Sequence, residues 1–134
     1  MPIMLWDDSL DIGVAEMNRE HQGLLDLMNA LYDASHGGKT GPEVLDLLKK
    51  LETATVEHFR DEEAYMDKIG FPGAPGHKLI HKDLLEKFGT HANAIRAQNG
   101  QISEDFFKFL RFWLSAHIRG IDIKYGQMSH AKAG

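Results

Sequence analysis

Residues 44–69 read VLDLLKKLETATVEHFRDEEAYMDKI, and within them Val44, Leu48, Leu51, Thr55, His58, Glu62, Tyr65 and Ile69 follow one another at alternating spacings of four and three. Alternation of this kind over nearly four heptads is the period of one face of an α-helix packed against its neighbours. The start is marked by Thr40 and Glu43, which have the form of a capping box, and by Pro42, tolerated in a first turn where its missing amide would be unpaired anyway. Gly70, followed by Pro72, stops it. The spacing therefore predicts a helix over about 41–69. Two of its inward positions, His58 and Glu62, carry groups that packing alone would not select, because a buried imidazole or carboxylate costs free energy unless it finds a partner.

Reading outward from this stretch, an irregular arm over 1–16 precedes Met17, Leu24, Met28 and Leu31, which recur at helical spacing with His21 on the same stripe. That helix, about 17–36, should end at Gly37-Gly38. Beyond Gly70, the run Phe71 to Gly76 holds two prolines and two glycines and reads as a loop. A third helix over about 77–98 carries His77, His81, Leu84, Phe88, Ala92 and Ile95, with Gly89 costing it about 1 kcal/mol. Ser103 is a good amino-terminal cap for a fourth, about 103–125, bearing Phe106, Leu110, Trp113 and His117, after which a polar tail spans 126–134. Four amphipathic helices joined by short loops imply an all-α fold, an antiparallel up-down-up-down four-helix bundle with an irregular N-terminal arm, built as one domain over 1–134.

Composition narrows the function. The 134 residues carry a formal net charge of −5, which disfavours nucleic acid as a partner because phosphate recognition needs a clustered surplus of Lys and Arg. No run approaches the roughly 20 apolar residues needed to span a bilayer, so no membrane insertion is expected, and the acidic residues of the first eleven positions do not resemble a secretory leader. The expected location is cytoplasmic. The chain has no cysteine, so any metal must be held by nitrogen and oxygen.

Five of the eight histidines fall where a leucine would serve packing. Singly, each has an ordinary explanation: His21 as a hydrogen-bonded core residue, His58 with Glu62 as a helix ion pair, and His77 with His81 as a chance spacing. Together they are harder to dismiss. His21 begins helix one, His58 lies late in helix two, His77 and His81 open helix three, and His117 comes late in helix four, so an antiparallel bundle puts all five at one end. His58 and Glu62, like His77 and His81, are four apart and share a helix face. Asp122 is five residues beyond His117, about 140° around an ideal helix, so its joining the cluster requires a widened turn near Gly120. His91 lies about 15 Å along helix three from His81, His36 is at the opposite pole and His130 is in the tail, and none of the three is a ligand candidate.

Imidazole with carboxylate suits iron, zinc, manganese and copper alike. Seven ligands exceed what one ion can use, so two ions are the natural reading. If Glu62 and Asp122 both bridge two octahedral ions, with a bridging hydroxide or oxide between them, the five histidines leave one coordination position open to a small ligand.

In His21, the run His58-Phe59-Arg60-Asp61-Glu62, His77-Lys78-Leu79-Ile80-His81 and His117-Ile118-Arg119-Gly120-Ile121-Asp122, the chain resembles the bacterial hemerythrins over nearly its whole length, from Trp6 to Tyr125. The resemblance implies two iron ions (Fe2+/Fe3+) with a bridging oxide or hydroxide and dioxygen as the ligand, bound reversibly for storage, delivery or sensing by a protein that is not an enzyme. A protein recipient of the oxygen is conceivable. It also implies that His77, His81 and His117 hold the filled iron, that His21 and His58 hold the one with the open position, and that Glu62 and Asp122 bridge. Leu24, Phe59, Trp113 and Leu114 map onto the apolar pocket for dioxygen. Asn18 and Glu20 depart from the family, which often shows Asp and Gln there. The competing function is a di-iron enzyme, an oxidase, peroxidase or nitric-oxide-handling protein, using the same open site.

Overall fold

The computed structural model describes residues 4–38 and 41–133, with side chains through residue 128. Its helices are α1 (Ala15–His36), α2 (Gly41–Ile69), α3 (Ala74–Ala97), α4 (Glu104–His117) and α5 (Ile123–Ala133). Between α4 and α5 the backbone forms a five-residue π-helical turn, Ile118–Asp122, with right-handed helical dihedrals at both junctions, so the two helices make one rod. Four rods joined by short connections form the expected antiparallel bundle, and no strand occurs among the described residues.

The helix ends follow from local chemistry. Gly70 terminates α2 with φ 68°, and the Phe71 amide donates to Met66 O at 3.0 Å, closing the last turn across the left-handed residue. Ser103 occupies the N-cap position of α4, although its side chain makes no capping bond. The Thr40 cap lies outside the described residues.

Two boundaries differ from the sequence reading. Helix α3 starts at Ala74 rather than at residue 77, because Pro75 sits in the first turn, where a missing amide costs nothing, and Ala74 is buried. The polar tail expected over 126–134 is helical through Ala133. The reason is tertiary: Tyr125 is fully buried, and a Cβ on Gly126 would stand 2.1 Å from the Ile12 carbonyl oxygen, so the N-terminal arm packs directly onto this helix.

The bundle core is drawn from every rod, with Met17, Leu24, Met28 and Leu31 facing Val44, Leu48, Leu51, Phe88, Ala92, Ile95, Phe106 and Leu110. Each of the larger of these side chains contributes about 1.5–3 kcal/mol through removal from water. Tyr32 meets Phe107 edge-on at 4.9 Å and Phe88 meets Phe106 at 5.7 Å, which seats α4 between α1 and α3. The arm is anchored rather than loose. Leu10 and Ile12 are buried, Asn18 accepts from the Ile12 amide at 3.0 Å and donates to Asp11 at 2.7 Å, and Arg119 in the π turn donates to Ser9 Oγ at 2.7 Å. Among the described residues no helix is long and apolar enough to cross a membrane.

Candidate metal centre

The seven polar residues singled out in the sequence meet at one end of the bundle, and every one is buried: His21, His58, Glu62, His77, His81, His117 and Asp122. Helix periodicity explains most of this. His58 and Glu62 stand one turn apart on α2, as do His77 and His81 on α3. His117 and Asp122 are brought together by the π turn, whose i→i+5 bonding widens the helix by one residue just where a regular α-helix would carry Asp122 away. His117 Nε2 lies 3.0 Å from Asp122 Oδ1. The widened turn expected from the five-residue offset is therefore present.

The two carboxylates divide the imidazoles between them. Glu62 turns Oε1 toward His81 at 2.8 Å, His77 at 3.1 Å and His117 at 3.7 Å, and Oε2 toward His58 at 3.3 Å and His21 at 3.4 Å. Asp122 repeats the division, with Oδ1 3.0 Å from both His77 and His117, and Oδ2 3.1 Å from His21. The donors thus form two overlapping groups, Glu62-His77-His81-His117-Asp122 and His21-His58-Glu62-Asp122, each compact enough to hold an ion.

Hydrogen bonding alone does not account for this arrangement. Both oxygens of Asp122 and both nitrogens of His21 are buried without a hydrogen-bond partner, although each carboxylate oxygen has an imidazole nitrogen within about 3.1 Å. The Nε2 atoms of His77 and His117 approach to 3.1 Å, and those of His81 and His117 to 3.2 Å. The contacts of Asp122 and His21, short yet without hydrogen-bond directionality, and the gathering of three Nε2 atoms at one point are what ligands show around a shared cation, since neighbours at right angles about 2.1 Å from one ion stand about 3.0 Å apart. An imidazole and carboxylate donor set fits first-row transition metals, iron among them.

Outer contacts orient the inner groups. Glu20 Oε1 lies 2.7 Å from His58 Nδ1, Glu63 Oε2 lies 3.0 Å from His81 Nδ1, and the Tyr125 hydroxyl donates to Glu62 Oε2 at 2.8 Å. Of these three, the sequence reading singles out only Glu20, as a departure beside His21, and assigns no role to Glu63 or Tyr125. Tyr125 offered a signal, standing three residues beyond Asp122 on the same helical face, whereas nothing local separates Glu63 from an ordinary surface acid. Of the two departures noted in the sequence, Glu20 touches the centre and Asn18 ties down the arm instead.

Electrostatics follow burial and charge. Burial opposes ionisation of Glu62, but the imidazoles of His117, His21, His58 and His77 outweigh it and hold the carboxyl well below its usual range. Burial and the charge of Glu62 raise Asp122, while His117, His21 and His77 prevail and bring it to about 2. Burial lowers His58, yet Glu20 and Glu62 raise it to about 10, and His117 is lifted against burial by Asp122 and Glu62 to about 9. Protons and metal ions therefore compete for the same lone pairs. Burial, together with the charges of Glu62 and Asp122, pushes the Tyr125 phenol far up, so it remains a donor.

The four apolar residues mapped onto a pocket are all buried. Phe59 stacks on His81 with centroids 3.9 Å apart and meets Trp113 edge-on at 5.5 Å. Leu24 and His58 together line a groove of about 270 Å³ between α1 and α2, while Trp113 and His117 line an apolar one of about 250 Å³ between α3 and α4. Two of the histidines set aside as non-ligands pack elsewhere. His91 rests against Phe106 and Phe109, and His36 stacks on Tyr32 and pairs with Glu104 at the far pole. The side chain of His130 lies outside the described residues.

Residues 12–128 match the family model described as the hemerythrin HHE cation-binding domain. The chain is 28% identical over 132 residues to a bacteriohemerythrin of Stenotrophomonas maltophilia, covering 98% of this chain and 84% of that one. It is 31% identical over 121 residues to a myohemerythrin of Riftia pachyptila, covering 90% and 89%. The crystal structure of a wild-type hemerythrin superposes with a TM-score of 0.84 at 28% identity, covering 92% of this chain and 95% of that one.

Proposed function

Because the chain belongs to the hemerythrin family, we propose that its buried cluster holds two iron ions joined by Glu62 and Asp122 and that it binds dioxygen reversibly there, as a carrier, store or sensor rather than an enzyme. The observation that carries this reading is the division of oxygens: each carboxylate gives one oxygen to the His77/His81/His117 group and the other to the His21/His58 group. Two bridging carboxylates with three imidazoles on one side and two on the other leave the second side one donor short, which is where a small ligand can enter. When bound, the ions and their bridging oxide or hydroxide supply the reversible electron transfer that dioxygen binding requires.

The chain's own residues do the rest. Tyr125 fixes the plane of Glu62 through its hydrogen bond to Oε2, and the π turn fixes Asp122 opposite it. Leu24, Phe59, Trp113 and Leu114 are apolar and buried, and around the cluster they would exclude water.

Metal analysis with one optical experiment tests the proposal. The reduced protein should contain two irons per chain, develop a coloured adduct on admission of air, and bleach again under vacuum. Prompt conversion to a ferric form with release of peroxide, or turnover of an added substrate, would favour the di-iron enzyme instead.

A further inference from the structure

Two carboxylates outside the ligand set reach the centre, and each serves a different half of it. Glu63, on α2, meets His81 Nδ1 at 3.0 Å, and Glu20, on α1, meets His58 Nδ1 at 2.7 Å. An imidazole offers a lone pair at one ring nitrogen only when the other carries the proton, and a carboxylate against Nδ1 holds the proton there. Glu20 therefore leaves Nε2 of His58 as the donor, turned toward Glu62 Oε2 at 3.3 Å.

The two halves do not depend equally on such help. The His77/His81/His117 half has five donors, whereas the other half has four, only two of them imidazoles. His21 has no hydrogen bond at Nδ1, so among the described residues His58 is the only imidazole of that half held from outside. Glu20 also precedes His21 directly in the chain, so one bond ties α1 to α2 at the height of both histidines. The carboxylate is itself one-quarter exposed and lines the groove between these helices, where space exists for substitution.

We propose that Glu20 is a positioning residue for the His21/His58 half, fixing the tautomer and ring angle of His58 so that this half retains its ion. The inference rests on the two-ion reading above. What the role requires is an acceptor oxygen held against Nδ1 of His58; the carboxylate supplies it through a charge-assisted bond that also increases ligand basicity.

The test is a titration of the chelator-stripped full chain with Zn2+, followed by calorimetry, with nitrogen NMR of His58 in the zinc-loaded protein. The wild-type chain should take up two ions, with His58 locked as the Nδ1–H tautomer. In E20L, one of the two binding steps should weaken by about 10–100-fold, the range for loss of an orienting partner, while the other is unchanged. His58 should then lose its fixed tautomer. E20Q, whose amide oxygen accepts the same bond, should recover the tautomer and most of the affinity. E20L that binds both ions as tightly as wild type, or that weakens both steps equally, would overturn the proposal. If E20L does not fold, E20Q and E20D decide, since E20D keeps the charge but withdraws the oxygen by a methylene and must lose the one step that E20Q keeps. A wild-type chain that takes up fewer than two ions would instead overturn the two-ion reading itself.

Discussion

Two glycine-to-alanine substitutions in helices should move stability in opposite directions, and the packing of the arm decides the sign. Alanine in a helix interior is favoured over glycine by about 1 kcal/mol. At Gly89 a new Cβ meets nothing within 4 Å, so G89A should realise that gain. At Gly126 the same atom would stand 2.1 Å from the Ile12 carbonyl oxygen and 3.2 Å from the Ile12 Cβ. Ordinary contact needs more than an ångström of additional separation, and the obstacle is backbone, which cannot rotate away. The arm must shift, loosening Leu10 and Ile12, each of which contributes up to about 1.5–3 kcal/mol by burial. Overpacking of this kind costs about 1–3 kcal/mol, more than the helical gain. Urea unfolding of the metal-free variants measures both, since bound metal would add its own stabilisation. Thermal melts of the same metal-free variants should show G89A raised by about 3–5 °C and G126A lowered. A G126A protein as stable as wild type would show that the arm does not press on α5 as described.

Removing the Tyr125 hydroxyl in Y125F leaves Glu62 Oε2 short of its donor and should destabilise the metal-free protein by about 1.5–3 kcal/mol, read by denaturant midpoint; a change below about 0.5 kcal/mol would sink the assignment. Since metal binds only the folded arrangement, each ion at a hundredfold excess over its dissociation constant should add about 2.7 kcal/mol, so chelation should lower the melting temperature and H117L, which disables one half, should abolish about half of the difference. Coincident melting of stripped and loaded wild-type protein would contradict this. His36 is raised above its ordinary pKa by its bond to the Tyr32 carbonyl and by Glu104. Its folded value exceeds its unfolded one, so the stabilisation is complete below the unfolded pKa and disappears as pH rises through the folded one. E104Q should lower the His36 titration midpoint in NMR, and an unchanged midpoint would deny the pairing.

The helical frame was legible because its information is local. The four-and-three spacing of α2 and the glycines that close α1 and α2 are properties of residues within a turn or two of one another, and the histidines reach matching heights once those helix ends are placed. Even the π turn could be anticipated, because a carboxylate five residues from His117 must be swung back if it is to share a site with it. The two misjudged boundaries fail for the complementary reason. Proline in a first turn and proline in a loop look alike in sequence, and the last helix persists only because the arm, over a hundred residues away in the chain, packs against it.

The rods, their order and the end of the bundle at which the imidazoles gather can be read along the chain, since each is written in a period of a few residues. Which oxygen of Glu62 faces which histidines, and that Glu20 reaches His58 across 38 residues and Tyr125 reaches Glu62 across 63, emerge only when the helices pack. Those contacts depend on the rotation of one helix about its axis relative to another, a quantity fixed by how the whole core interlocks and carried by no single stretch of chain.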